Sequence, residues 1–214
     1  MLTTKKPLKS APKAPPRARS PAQMQRTEEL RNRIFAAAAK IVGDHGYTDA
    51  SIDRITELAG MAKGTFYLYF GSRQDLLNQL LPHVGFDLIT YLRAEVSGAK
   101  TFFEVEERGF RAFFSFLQNN PGFFRVLNEA EVAAPVAHAR HMALLTEHYV
   151  SSLQRSVERG EIKNFQDKEL EALAYIFQSA RSYLYMRYVK DRRLRKPPEW
   201  VVETYMKLVK SGLS

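Results

Sequence analysis

A chain of 214 residues with a formal net charge of +9 and no Cys can bury a substantial core in one or two domains. The charge favours a polyanionic partner, and the missing Cys excludes a disulfide framework, a thiolate nucleophile and a Cys-ligated zinc. No apolar run approaches the ~18–20 residues of a membrane span and the first residues lack the apolar core of a signal peptide, so a soluble cytoplasmic protein with no membrane partner is expected.

The charge is uneven. Lys5, Lys6, Lys9, Lys13, Arg17, Arg19 and Arg26 lie in residues 1–26 with no acid among them. This stretch is rich in Pro, Ala and Ser and cannot bury enough apolar surface to offset the entropy of ordering, so a disordered basic arm is expected. Two readings stay open: an arm that adds phosphate or minor-groove contacts, or a solubilising tail. The prolines from Pro7 to Pro21 spoil the amphipathic helix of a transit peptide. Thr27 is the predicted cap of a first helix reaching His45, with Leu30, Ile34, Ala37, Ile41 and Val42 on one face and Gly46 as its stop.

The stretch Ser51 to Phe70, SIDRITELAGMAKGTFYLYF, reads as two short helices with a tight turn. Ser51 is an N-cap type, and Ile52, Ile55 and Leu58 follow at helical spacing. Ala59-Gly60 ends the first helix, because Gly accepts a positive φ. Lys63-Gly64-Thr65 opens the second, and Phe66, Tyr67, Tyr69 and Phe70 ride on it. An ordinary αα-hairpin has the same outline, but a helix-turn-helix of this size suits the DNA major groove. On that reading Ser51 caps toward a phosphate and Arg54 reaches phosphate or a base edge. Lys63 is the best phosphate or guanine contact. Gly64 lets the backbone approach, and Thr65 offers a hydroxyl or methyl. Tyr67 and Tyr69 reach phosphates, while Phe66 and Phe70 pack inward.

The A-G-x-x-K-G-T-F-Y-x-Y-F run at Ala59–Phe70, the helix before it and Ser72-Arg73-Gln74-Asp75-Leu76-Leu77 after it closely resemble the DNA-binding domain of TetR-family bacterial transcriptional regulators over about Thr27 to Leu81. The resemblance implies an all-α fold. A three-helix DNA-binding domain, residues 27–71, would precede a larger helical domain, residues 72–214, for effector binding and dimerisation. It implies that the first helix braces the motif and that Arg73 stands where the family holds a backbone phosphate, usually with Lys. Met61 and Ala62 depart from the small polar residues often found before the Lys and lack their hydroxyls.

Ser72 and Asp75 resemble a capping box for a helix that runs past Pro82 to about Glu95 and bends at the proline. The resemblance makes this the link between head and body, and the bend either a coupling hinge or a passive kink. Next come Phe102, Phe103, Phe110, Phe113, Phe114 and Phe116, and a turn at Asn119-Asn120-Pro121-Gly122. Dense core packing is one reading of these rings. The other, favoured by the resemblance, is a pocket for an apolar or amphipathic effector lined by Phe86, Phe102, Phe103, Phe110, Phe113, Phe114, Phe124 and Leu127.

A helix from about Pro135 to Arg159 carries His138, His141 and His148. The pattern predicts a solvated or hydrogen-bonded face, and no metal or other cofactor is expected. Asp167 is the predicted cap of a helix over 168–191 with two apolar stripes: Leu170, Leu173, Ala174, Phe177, Leu184 and Tyr188, and Ile176, Ser179, Tyr183 and Met186. A basic loop, residues 192–198, leads to a last helix, Glu199 to about Ser211. The resemblance assigns the last two helices to a homodimer seam through Leu173, Phe177, Leu184, Tyr188, Trp200, Tyr205 and Leu208. The expected function is a dimeric repressor on a near-palindromic double-stranded DNA operator, released by a small molecule. The alternative is an architectural DNA-binding protein with no effector. An enzyme is not expected, since there is no Cys, His138, His141 and His148 cluster on one helix and no nucleotide-binding glycine loop appears.

Overall fold

The computed structural model describes residues 20–191, 194 and 196–213. Among these, nine α-helices and no strands are present: α1 (Pro21–His45), α2 (Ile52–Leu58), α3 (Lys63–Phe66), α4 (Arg73–Val96), α5 (Phe102–Asn119), α6 (Phe123–Ala133), α7 (Pro135–Glu158), α8 (Asp167–Tyr185) and α9 (Glu199–Leu213). A 3-10 turn, Tyr47–Asp49, joins α1 to α2, and a π-helical turn, Met186–Lys190, follows α8. Residues 1–19 of the expected arm, and Arg192, Arg193 and Arg195 of the basic loop, lie outside the described residues.

α1 starts six residues before Thr27. Ser20 accepts from the Gln23 amide while the Gln23 side chain accepts from the Ser20 amide, and Pro21 occupies the first turn, where its missing N–H costs nothing. The Thr27 hydroxyl donates to the Gln23 carbonyl inside the helix instead of capping it. α8 is capped by Gln166 with Glu169 rather than by Asp167. α4 continues through Pro82 to Val96, and the His83 ring beside that proline stacks on Phe35 of α1 at 4.0 Å.

α1, α2 and α3 form a head around Ile34, Phe35, Ile55, Phe66 and Phe70. α4 closes it with Leu76, Leu77 and Leu80, all fully buried. The same buried cluster continues through α5, α6, α8 and α9. Head and body therefore share one apolar core, and displacement at one end is felt at the other because close-packed interiors transmit strain.

Candidate DNA-binding face and effector cavity

Ser51 caps α2 as its residue type predicts: its Oγ accepts from the Arg54 amide at 3.3 Å. The turn takes Gly60 at φ 63°, and the Arg33 guanidinium holds it by donating to the Ala59 carbonyl. α3 is shorter than its aromatic run suggests. Ala62 offers no side-chain cap, and after Phe66 the chain passes into tight turns, with the Leu68 amide on the Thr65 carbonyl and the Tyr69 amide on the Phe66 carbonyl.

Phe66 and Phe70 point inward and are fully buried. Lys63, Gly64, Tyr67 and Leu68 face out, and Thr65 and Tyr69 are half-buried. A Cβ built on Gly64 would have no atom within 4 Å, so the backbone there is open to a close partner. Leu68, 80% exposed, joins this face; its apolar character on a helical run reads as core, so its residue type carries no signal of that role. Both cations are held by acids of the head. Lys63 pairs with Asp53 at 2.7 Å and Arg54 with Asp49 at 2.8 Å. The hydrogen bond that Lys63 donates to the Asp53 carboxylate holds its ammonium above its ordinary pKa. Arg73 turns inward and donates to the Ala50 carbonyl at 2.8 Å and to the Tyr47 carbonyl, bracing the 3-10 turn against α4.

Behind this face, α6 grips the head. The Tyr47 amide donates to the Glu129 carboxylate at 3.0 Å, the Tyr47 hydroxyl to the Val126 carbonyl at 3.1 Å, and Arg125 to the Asp44 carbonyl at 2.8 Å. Burial raises the Glu129 pKa, but hydrogen bonds from Arg125 and the Tyr47 amide outweigh it and leave the carboxyl below its ordinary value. Gly43 of α1 and Gly122 before α6 meet backbone to backbone: a Cβ on Gly43 would stand 2.5 Å from the Gly122 Cα. Only glycine permits that approach.

On its other side α6 meets a cavity of about 470 Å³ between α4, α5, α6, α7 and α8. Of the eight expected pocket residues, Phe102, Phe113 and Leu127 line it. Phe110 is instead stacked on Tyr205 at 4.3 Å, Phe114 packs on Phe110 and Tyr185, and Phe124 packs on Tyr185. Phe103 packs partly buried against the core, and Phe86 is 62% exposed on the outside of α4. The lining that the sequence reading missed comes from α7 and α8, whose mixed polar faces carry no aromatic run. One wall holds a buried network in which Glu106 accepts from Arg181 at 2.6 Å and from the hydroxyls of Tyr205 and Tyr149. It ties α5, α7, α8 and α9 together.

Of the expected seam residues, Leu173, Phe177 and Tyr205 belong to the subunit's own core. Phe177 is only 6% exposed and packs on Phe102, Tyr149 and Tyr205. Leu184 packs half-buried against the core, and Tyr188 packs on Trp200. Trp200 and Leu208 of α9 are exposed, as are Ile176 and Tyr183 of the second α8 stripe. On the last two helices the exposed large apolar side chains are therefore Tyr175, Ile176 and Tyr183 of α8, of which Tyr175 and Tyr183 also line the cavity, and Trp200 and Leu208 of α9.

His141 does not belong to a solvated face. It is buried against Gly85, where a Cβ would lie 2.3 Å from its ring, and its Nε2 has no hydrogen-bond partner. Burial, with a smaller push from His138, lowers its pKa from the ordinary 6.5 to about 4. Between those values the unfolded chain binds a proton that the native ring refuses, so native stability is expected to fall as the pH drops from 6.5 to 4, by roughly 3 kcal/mol from this group. Denaturant titrations at both ends of the window, beside His141→Met, check this: the variant should lose less stability than the wild type on acidification.

Residues 34–80 match the family model described as bacterial regulatory proteins, tetR family. An uncharacterised HTH-type transcriptional regulator of Haemophilus influenzae is 29% identical over 107 residues, 50% of this chain and 57% of its own length. The chain thus spans little over half of that relative, and 32% of the length of the YvdT regulator of Bacillus subtilis. The transcriptional repressor NicS of Pseudomonas putida is 26% identical over 171 residues, 75% of this chain and 77% of its length. Among solved structures, FadR from Bacillus subtilis in complex with stearoyl-CoA superposes with a TM-score of 0.73 at 19% identity, covering 86% of this chain and 99% of that one. No helix among the described residues is long and apolar enough to cross a membrane. Residues 34–80 thus carry the sequence of the tetR family of bacterial regulatory proteins, and the helical body shares the fold of FadR.

Proposed function

We propose that this regulator is a dimeric repressor that binds a near-palindromic operator through α3 and releases it when an apolar or amphipathic small molecule enters the cavity. The observation that carries this reading is the double engagement of α6. Leu127 and Asn128 line the cavity, while Arg125, Val126 and Glu129 of the same helix hold the head. A ligand releases DNA only if it favours an arrangement of the heads that DNA disfavours, and coupling of this kind typically amounts to ~1–3 kcal/mol. The stearoyl-CoA-bound FadR and the fatty acid metabolism regulator of Bacillus subtilis, 38% identical over 47 residues, favour acyl compounds as the first class to try. The cavity also favours this reading over an architectural role, for which a closed body would serve. Thermal-shift screening of acyl thioesters, lipophilic acids and aromatic compounds, followed by operator release, tests it; hits that bind the body and leave DNA binding unchanged would contradict it.

The DNA contacts proposed are Lys63, Gly64, Thr65, Tyr67 and Tyr69, with Ser51 and Arg54 on phosphate. Arg73 acts in this reading as the brace beneath them. Lys63→Ala is expected to weaken operator binding by about 1–3 kcal/mol if Lys63 reads a base, and to weaken all sequences equally if it holds a phosphate. Titration of labelled duplexes of matched and scrambled sequence separates the two, and unchanged affinity for both removes Lys63 from the interface.

A further inference from the structure

The cavity is a slot with two unlike ends. Along α7 its wall is one helical face, His138, Met142, Leu145, Tyr149, Ser152 and Arg155. At 1.5 Å per residue that face is about 25 Å long. α4 runs in the same direction, with Gly85 against His141 and Arg93 against His148, and α5 in the opposite one, with Phe102 bonded to Glu161 beyond the end of α7. Leu88 of α4, Phe113 of α5 and Leu127 of α6 line one end, and Val96 of α4 and Phe102 of α5 the other. A volume of about 470 Å³ spread over that length makes a narrow channel, which suits one extended chain better than a compact ring system.

Charge distinguishes the ends. Glu106 and Arg181 answer each other across 2.6 Å in the wall. Arg93 and Arg155 stand at the Val96 end, exposed, and neither has a carboxylate partner among the described residues. Arg93 donates to the Nε2 of His148, whose Nδ1 donates to the Leu144 carbonyl. A ring held by those two contacts brings no negative charge to the arginine. The opposite end, where Leu88, Phe113 and Leu127 stand beside Asn128 and His138, carries no Asp, Glu, Lys or Arg and abuts α6, the helix that grips Tyr47.

We propose that the slot takes a single-chain amphipathic anion lengthwise, with its head at Arg93 and Arg155 and its tail at Leu127. α6 then reads the length of the chain, and only a tail long enough to press on Leu127 loosens the grip on the head. This rests on the reading that an effector in the cavity releases DNA. The anion can be a free carboxylate or the phosphate-bearing head of an acyl thioester, and both present the same chain to the slot.

The test is a series of straight-chain carboxylates, their coenzyme A thioesters and the matching neutral alcohols, from about eight to about eighteen carbons. Binding to the full chain is read by displacement of a fluorescent probe, and release by anisotropy of the labelled operator. Affinity of the anions should rise about fourfold per methylene until the slot is full, and release should begin only above a threshold length although shorter chains bind. The double variant Arg93→Gln/Arg155→Gln should lose tenfold or more in affinity for the anions and less than twofold for the alcohols. Leu127→Trp, which fills the tail end, should move the release threshold to shorter chains. Tighter binding by carboxylates or by thioesters supports the proposal and names the source of the head.

Release at every length that binds, or equal loss of anion and alcohol affinity in the double variant, would overturn it. The length series needs only the wild-type protein, so a Leu127→Trp variant that does not fold leaves the test intact. If compact ring compounds release DNA and no chain does, the lengthwise reading falls and the ligand-released regulator stands. If nothing that occupies the cavity releases DNA, both fall.

Discussion

The double variant Ile176→Glu/Leu208→Glu is expected to be a folded monomer whose operator affinity has dropped by about two orders of magnitude or more. Both side chains are exposed in the single chain, at 59% and 71%, so the charges cost the isolated subunit little. In a dimer they would lie at the centre of the seam, where a buried unpaired charge costs several kcal/mol. One recognition helix reads only a few base pairs, and losing the second half-site removes most of the discrimination against competing DNA. Light scattering gives the mass and duplex titration the affinity. Phe177→Glu provides the contrast. Packed on Phe102, Tyr149 and Tyr205, it should unfold the subunit rather than split a dimer. A double variant that stays dimeric would move the seam off α8 and α9.

Gly43→Val is expected to uncouple the head from the cavity. Even the first carbon of the new side chain would stand 2.5 Å from the Gly122 Cα, and two backbones cannot give way as a flexible side chain can. Overpacking of this kind typically costs 1–3 kcal/mol. Here the displacement also separates α6 from the Tyr47 and Asp44 contacts it makes at 3.0 and 2.8 Å. An effector should still bind, because no residue lining the cavity changes, but its effect on operator affinity should shrink from the typical 5–150-fold toward none. Glu129→Ala removes the acceptor of the Tyr47 amide with no steric load and should weaken the coupling in the same direction. Binding and release measured side by side check this; full release in both variants would place the coupling elsewhere, with the contacts of α4 the next to examine.

What the sequence made legible was mostly local. The Ser51 cap, the positive φ at Gly60 and the inward turn of Phe66 and Phe70 follow from residue type and spacing within a few positions. The start of α1 was equally local, yet Ser20-Pro21 with Gln23 is hidden within a stretch whose composition argues for disorder. The cavity was not legible from its rings. Whether a Phe of α5 faces a void or a neighbour depends on which helix covers it, and Tyr205 of α9 covers Phe110. The two stripes of α8 read alike in sequence, and only the packing of Phe177 against α5, α7 and α9 assigns the first to the core, while of the second Ser179 and Tyr183 line the cavity and Ile176 is exposed. The grip of α6 on the head depends on glycines 79 residues apart, Gly43 and Gly122; the second of these reads, on its own, as part of a turn.

Selection of duplexes from a random pool by the purified chain, followed by sequencing, tests the central claim most directly. A dimer reading DNA through α3 predicts enrichment of two inverted half-sites spaced about one helical turn apart, 10–10.5 base pairs between centres, and loss of that motif when Lys63→Ala is used in the same selection. Recovery of no motif, or of a single unrepeated site that Lys63→Ala selects equally well, would contradict it.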